Sequence, residues 1–426
     1  MINFVFFRQM QIASSVALAV ILILGLDTTT AFISVPFILL QNIFMLVASR
    51  KNFLMLLIAF ILAYCNYSVL YANFINPIDS GYVAEITQRT TNISLNVLFV
   101  FNCVLILAVN WSQMRSTSDI VLSFSQYAHV LYAYFLLFVL LIVFFYGFTI
   151  PTEVGERGSP KPIYEYALVF FIILFCYYKD NIIIKKIGLV VVSLYALQNF
   201  IFGGRILGIQ FLLCAYLIFY MNSIPKKIVL IIMCVFFVFM TFLGTVRGEL
   251  LNSNFDIVDI LNKVFEGGFA LDTAYSAYYC AESFVYCHDI IPFSTRLFLF
   301  LQFVKGVFIS SDSQYVLQNI TYDYVHHTGG GFIPHFLYFY LGPLGAMAGG
   351  LLVSAFLNLI RTINNASSGL VKSIAIYITC ITFRWYLYSP LDMLRGVLFL
   401  VIVYYTFTRI VIVSIQKWGK PNEISE

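Results

Sequence analysis

Residues 127–149 read YAHVLYAYFLLFVLLIVFFYGFT. No lysine, arginine, aspartate or glutamate interrupts the run, and it is long enough for the ~20 residues a helix needs to cross a hydrocarbon core. Runs of the same kind recur on both sides of it. Including 127–149, they fall near 12–26, 31–48, 53–72, 92–111, 163–178, 187–202, 205–221, 228–246, 333–360, 370–389 and 396–415. The expected fold is all-α: a polytopic membrane protein with about twelve transmembrane helices. The whole chain, 1–426, reads as a single integral membrane domain. Arg8 followed by an apolar run imitates a signal peptide, but no small-residue cleavage site follows, so the first run is expected to be a retained helix.

Composition agrees. The chain is 61% hydrophobic, 18% aromatic and only 10% charged, with a mean hydropathy of +0.91. Soluble domains carry roughly 25% charged residues, so lipid must solvate much of this surface. The net charge of +4 is small and sits mostly in connectors, which gives no reason to expect nucleic acid. Lysine and arginine fill every second connector, for example Arg50-Lys51, Lys185-Lys186 and Lys226-Lys227. By the positive-inside rule both termini are expected to be cytoplasmic.

One connector is far longer than the rest. Residues 247–332 are expected to form a long external loop containing interfacial or re-entrant helices. Residues 255–265 place apolar side chains on one helical face. Residues 297–309 are apolar but too short to span, the pattern of a re-entrant or interfacial piece. Between them lie Tyr275, Tyr278, Tyr279, Phe284 and Tyr286, expected to be interfacial anchors or else a sugar-stacking surface. The stretch carries four basic and nine acidic side chains, a net charge of −5. Cys280 and Cys287 could pair, unless one helix holds them ~10 Å apart along its axis, beyond disulfide reach. The other six cysteines lie in apolar runs and read as small buried hydrophobes.

The candidate chemistry collects at the outer edge of the spans. Gly203-Gly204-Arg205 opens a helix, where free N–H groups and the macrodipole attract anions. A guanidinium there adds a fork suited to phosphate. The alternative is a tight turn beside a snorkelling arginine. Arg247 ends another run, with Glu249 two residues on. Arg384 interrupts an apolar run, a costly position that usually faces a cavity, and Arg395 lies at a similar level. His326, His327 and His335 cluster near Asp323, but the spacing matches no zinc pattern, so no metal site is expected. His335 opens the run that contains Gly342-Pro343-Leu344-Gly345. It is either a general base or a structural hydrogen-bonding residue.

Many spans, one dominant late outside loop, outer arginines, and GGGFIPHFLYFYLGPLG over residues 329–345 together resemble the bacterial O-antigen polymerases. More loosely the chain resembles the O-antigen ligases, which often place a histidine and an asparagine where this chain has His335-Phe336. The architectural likeness covers nearly the whole chain; the local one is confined to Gly203-Gly204-Arg205, 247–249 and 329–345. The resemblance implies an inverting glycosyltransferase of the bacterial inner membrane, with no cofactor, no metal and no nucleotide sugar. Donor and acceptor are polyprenyl-diphosphate-linked oligosaccharides, and the partners are the lipid bilayer and a chain-length regulator protein. In those terms Arg205, Arg247, His335 and Glu249 are the expected catalytic set. Gly203, Gly204, Arg384, Arg395 and His327 are expected to bind substrate. A lipid-linked oligosaccharide flippase is the alternative from another class, although no internal repeat supports a transporter.

Overall fold

The computed structural model describes residues 4–27, 31–70, 87–113, 130–151, 158–221, 223–235, 239, 258, 272–309, 313–325, 330–363 and 367–418. Helix dominates them. In chain order the helices are α1 (Phe4–Leu24), α2 (Ala31–Ser49), α3 (Phe53–Leu70), α4 (Gln88–Ala108), α5 (Val130–Tyr146), α6 (Pro162–Glu165), α7 (Ala167–Tyr178), α8 (Ile182–Ile201) and α9 (Arg205–Phe219). After further helical residues at 226–235 come α10 (Asp272–Ile290), α11 (Phe293–Lys305), α12 (Leu317–Tyr322), α13 (Ile333–Leu341) and α14 (Pro343–Thr362). The last three are α15 (Gly369–Cys380), α16 (Thr382–Leu387) and α17 (Pro390–Trp418). A two-stranded antiparallel ribbon, Phe148–Thr149 against Ser159–Pro160, is the sheet among the described residues.

Among the described residues, five helices are long and apolar enough to cross a membrane: Phe6–Leu24, Gln88–Ala108, Ile182–Ile201, Pro343–Thr362 and Pro390–Ile410. Shorter apolar helices include Ile33–Ser49, Phe53–Tyr67 and Val130–Tyr146. Their outward faces carry large apolar side chains, such as Ile23, Phe135 and Phe145, as lipid-solvated helices require. Local chemistry sets several boundaries. Thr87 caps α4 by accepting from the Thr90 N–H, Asn181 caps α8 through Ile183 and Ile184, and Ser368 caps α15 through Val371. Such caps satisfy N–H groups that have no partner inside the helix.

Packing divides the chain into two compact units. The first comprises Met1–Asp119, Lys263–Asn364 and Thr382–Leu394; the second comprises Ile120–Asn262, Asn365–Ile381 and Arg395–Glu426. In the first, α4 lies against α1, α2 and α14, with Gly350 letting α14 approach the Phe101 carbonyl and Val104 of α4. A buried polar chain crosses this core. Asn66 Nδ2 donates to Asn42 Oδ1 at 2.9 Å and to Asn102 Oδ1 at 3.5 Å, while Tyr386 Oη donates to Asn66 Oδ1 at 2.7 Å.

Two expectations are corrected here. The run 333–360 is not one span but a helical hairpin, α13 and α14, reversing at Gly342. That residue's φ of +62° and ψ of −142° suit glycine. The pairing is antiparallel: a side chain at Gly345 would strike the Leu337 carbonyl, and one at Gly349 would meet Leu337 and Ile333. With nine residues, α13 is only about 13 Å long, less than half a hydrocarbon core. Of the aromatic group at 275–286, Tyr278, Tyr279 and Phe284 are likewise not a surface. Residues 277–285 of α10 are all buried, and α10 packs between α3, α4 and α13. Tyr278 and Tyr279 pack with Val325. Their rings are core, so they offer sugars no stacking face.

The helices around α13 have readable directions. Cys280 lies beside Gly330, Phe284 stacks edge-on to Phe336, and His288 reaches Phe339 and Gly342, so α10 runs parallel to α13. Arg296 reaches Phe339 and Tyr340 while Phe303 reaches Phe336, so α11 runs antiparallel to it. The short helix expected near 297–309 is therefore present as α11. Cys280 and Cys287 share α10, and both are free thiols. Of the expected surface helix at 255–265, Val258 alone lies among the described residues and is helical.

The second unit packs α7 against α5, α8, α9 and α15. Its centre is aromatic. Tyr195 has ring neighbours in Tyr164 at 4.8 Å, Phe211 at 4.9 Å and Phe171 at 5.3 Å.

Candidate functional site

The Gly203-Gly204-Arg205 turn joins α8 to α9. Gly203 takes φ +79°, a region that side chains rarely adopt. Gly204 is buried, and a Cβ on it would collide with Asn199 Oδ1. Both glycines are thus required by geometry. The Gly204 N–H donates to the Asn199 carbonyl at 2.7 Å, and the Phe202 N–H to the Gln198 carbonyl at 3.0 Å, which closes α8. Arg205 then begins α9 with no side-chain cap. The first-turn N–H groups and a half-buried arginine residue belong to one helix end. Such an end attracts anions.

A polar set behind the turn was not read from the sequence. Asn199 Nδ2 donates to Tyr164 Oη at 2.9 Å and to the Tyr195 carbonyl at 2.8 Å, and Tyr164 Oη donates to Gln198 Oε1 at 2.7 Å. The Gly158 N–H donates to the Phe202 carbonyl at 3.0 Å, which ties the ribbon to the same turn. The available signal was an asparagine inside an apolar helix four residues before the first glycine. Buried amides in such helices need partners and usually hold something in place.

The other expected residues are distributed differently. Arg247, Glu249 and His327 lie outside the described residues. Arg395 belongs to the second unit, like Arg205, whereas His335 and Arg384 belong to the first. Arg384 Nε donates to Asp392 Oδ2 at 2.7 Å, with both side chains largely covered. The pair crosses the break between α16 and α17, so an arginine that stood alone in its apolar run has a carboxylate eight residues on.

His335 is fully buried. Its Nε2 lies 2.8 Å from the Ser94 carbonyl and 3.1 Å from Ser94 Oγ, and its ring stacks on Phe332 at 5.2 Å. Donation to the carbonyl puts the proton on Nε2. The ring thereby fastens α13 to α4, the geometry of the structural alternative.

A second polar cluster, also unread from the sequence, closes the hairpin tip. Arg296 Nε donates to the Ile291 carbonyl at 3.0 Å, and Nη1 donates to the Phe339 and Tyr340 carbonyls at 3.0 and 3.3 Å. These two carbonyls end α13 and have no following turn to bond. Arg296 Nη1 also meets His288 Nδ1. Burial lowers the His288 pKa, and the nearby guanidinium adds to the effect while the Phe339 carbonyl opposes it. Among the described residues no group of three histidine, cysteine or carboxylate side chains could hold a metal ion.

No protein-family model, no curated protein and no solved structure matches the chain.

Proposed function

We propose that this chain polymerises polyprenyl-diphosphate-linked oligosaccharide repeat units into O-antigen or a similar surface polysaccharide. In this reading it works at the outer face of the bacterial inner membrane, with about twelve spans, both termini cytoplasmic and a chain-length regulator as partner. One observation carries the reading: two geometrically required glycines and an arginine open an uncapped helix, Gly203-Gly204-Arg205. That is the equipment for a diphosphate leaving group.

The acceptor sugar hydroxyl attacks the anomeric carbon from the face opposite the diphosphate. The anomeric carbon–oxygen bond to phosphate breaks as the new glycosidic bond forms, inverting the carbon, and the hydroxyl proton passes to a carboxylate. Arg205, the α9 N–H groups and Arg247 meet the charge developing on the departing phosphate oxygen. Glu249 is the base in this scheme. His335, bonded to Ser94, is assigned a positioning role. Arg395 contacts the sugars, and the Arg384–Asp392 pair holds the chain between α16 and α17.

Removing one donor aimed at a developing anion typically costs about 10²–10³ in rate. Arg205→Ala should therefore abolish long chains while the protein stays in the membrane, and Arg205→Lys should restore part of the ladder. The readout is surface glycan from a deletion strain carrying each variant. Single repeat units on the lipid anchor support the proposal. Full-length chains stranded on the lipid carrier would make the protein a ligase, and repeat units trapped at the inner face would make it a flippase. A normal ladder from Arg205→Ala removes the turn from the mechanism.

A further inference from the structure

At the end of α4 remote from its Thr87 cap, the first unit has a half-open cavity of about 460 Å³. It is lined by Phe7, Arg8 and Gln11 of α1 and by residues 107–112, from the last turn of α4 into the 3₁₀ turn Trp111–Gln113. The size falls in the range of small-molecule sites.

The lining has two signs. Arg8 is exposed, and no carboxylate among the described residues pairs with it. Gln11 and Asn110 add amide donors. Across from them α4 presents the negative end of its macrodipole. Most of its last carbonyls are taken: Ile106 by Trp111 Nε1, Ala108 by Asn358 Nδ2 and Val109 by the Trp111 N–H. The Leu107 carbonyl is not taken by any of these, and Leu107 is one of the lining residues. The site thus offers an arginine for an anion and, beside it, a helix C-terminus for a cation.

The surroundings add a third property. From Arg8 a stripe of exposed apolar side chains runs along α1 at one-turn spacing: Ile12, Val16, Val20 and Ile23, between 44% and 82% exposed. Two aromatic side chains, Phe7 and Trp111, line the cavity, and each meets Phe44 edge-to-face. A soluble zwitterion would have no use for the stripe. An amphiphile would lay its tails there.

We propose that this cavity binds the head group of a phospholipid carrying a primary amine, phosphoethanolamine being the fitting class. The phosphate oxygens accept from Arg8 and the Gln11 and Asn110 amides, the ammonium donates to the Leu107 carbonyl, and the acyl chains follow the α1 stripe. Arginine is suited to phosphate because its planar fork matches two oxygens at once.

The test uses the full chain purified in detergent and native mass spectrometry with defined lipids. Phosphatidylethanolamine should be retained about ten-fold or more over phosphatidylcholine, whose quaternary amine cannot donate, and over phosphatidylglycerol, which has no amine. Arg8→Ala should lose that retention and Arg8→Lys keep part of it, both eluting as the wild type does. Should Arg8→Ala elute abnormally, Asn110→Leu gives the second reading and should also lower retention. Equal retention of phosphatidylglycerol, or unchanged retention in the variants, would overturn the assignment. Competition by soluble glycerophosphoethanolamine at the lipid's own concentration would overturn the lipid as source.

Discussion

Replacing Arg296 with methionine tests how the hairpin of α13 and α14 is held. The stem volume is nearly kept and the guanidinium is lost. Arg296 is 9% exposed and donates to three carbonyls, those of Ile291, Phe339 and Tyr340. Bonds from a charged donor are worth about 1.5–3 kcal/mol each, and a buried acceptor left open costs about 1–3 kcal/mol. Three such bonds would give several kcal/mol, but two effects reduce the sum. His288 Nδ1 lies 3.0 Å from the Phe339 carbonyl and can serve it. Carbonyls in a membrane-embedded unfolded state also find partners, so measured gains there run low. The net loss should be about 3 kcal/mol, on the order of 100-fold in the folding equilibrium. The assay is reversible unfolding in mixed micelles with rising dodecyl sulfate, paired with hydrogen exchange of the α13 amides. Arg296→Lys, with one compact donor group, should recover less than half. A Met variant within about 0.5 kcal/mol of wild type, with α13 equally protected, would refute the reasoning.

Three further outcomes follow from the packing. Gly345→Ala sets a methyl group against the Leu337 carbonyl, and overpacking should cost about 1–3 kcal/mol or more in the same assay; a neutral result would mean that α13 and α14 do not pair as described. Asn66→Ala and Tyr386→Phe, tested singly and together, should show a coupling of about 0.6 kcal/mol, the mean for such bonds inside membrane proteins; full additivity would mean that their 2.7 Å bond contributes nothing. The third concerns pH. His288 has a lowered pKa in the fold, so below the ordinary imidazole value of about 6.5 the unfolded chain takes up a proton that the folded one resists. The contribution of His288 is therefore complete above that pH and is lost as pH falls through and below it. Corrected for the intrinsic slowing of exchange in acid, protection at the end of α13 should fall as pH drops from about 7 to about 5 and stay flat in His288→Gln; a wild type with flat protection would count against the contact with Arg296, since Asp289 and Arg89 are exposed and paired with each other at 3.5 Å.

Much of the helix layout was legible because apolar runs of membrane length have few other uses. The expected starts and ends of α2, α7, α8 and α9 lie within a few residues of those found. What hydrophobicity cannot encode is a change of direction. Residues 333–360 are as apolar as a single span would be, and Gly342 reads as a mere interruption until its φ shows a reversal. The α10 helix was misread for the opposite reason. Its Glu282 and Ser283 look like solvent residues, yet both are fully buried. At the candidate site the glycines and Arg205 were legible, because a helix start after two glycines has a local signature. Asn199, Tyr164 and Gln198 were not, since their bonds join α6 to α8 across some 35 residues of chain. Arg296 was counted as one cation among the charges of 247–332. Its real role, finishing another helix, depends on a partner more than forty residues away.

The half-length helices bear on how the protein is made. With 13 and nine residues, α11 and α13 are each too short to be handed to lipid alone. The carbonyls that end α13 are satisfied by an arginine from α11, synthesised earlier. Neither piece is a stable guest in a bilayer until the other is present, and α14 supplies the wall that α13 rests on. Residues 293–362 should therefore leave the insertion machinery together, as one body. A ribosome-bound chain truncated between Leu341 and Thr362 should remain extractable from the membrane until α14 is complete.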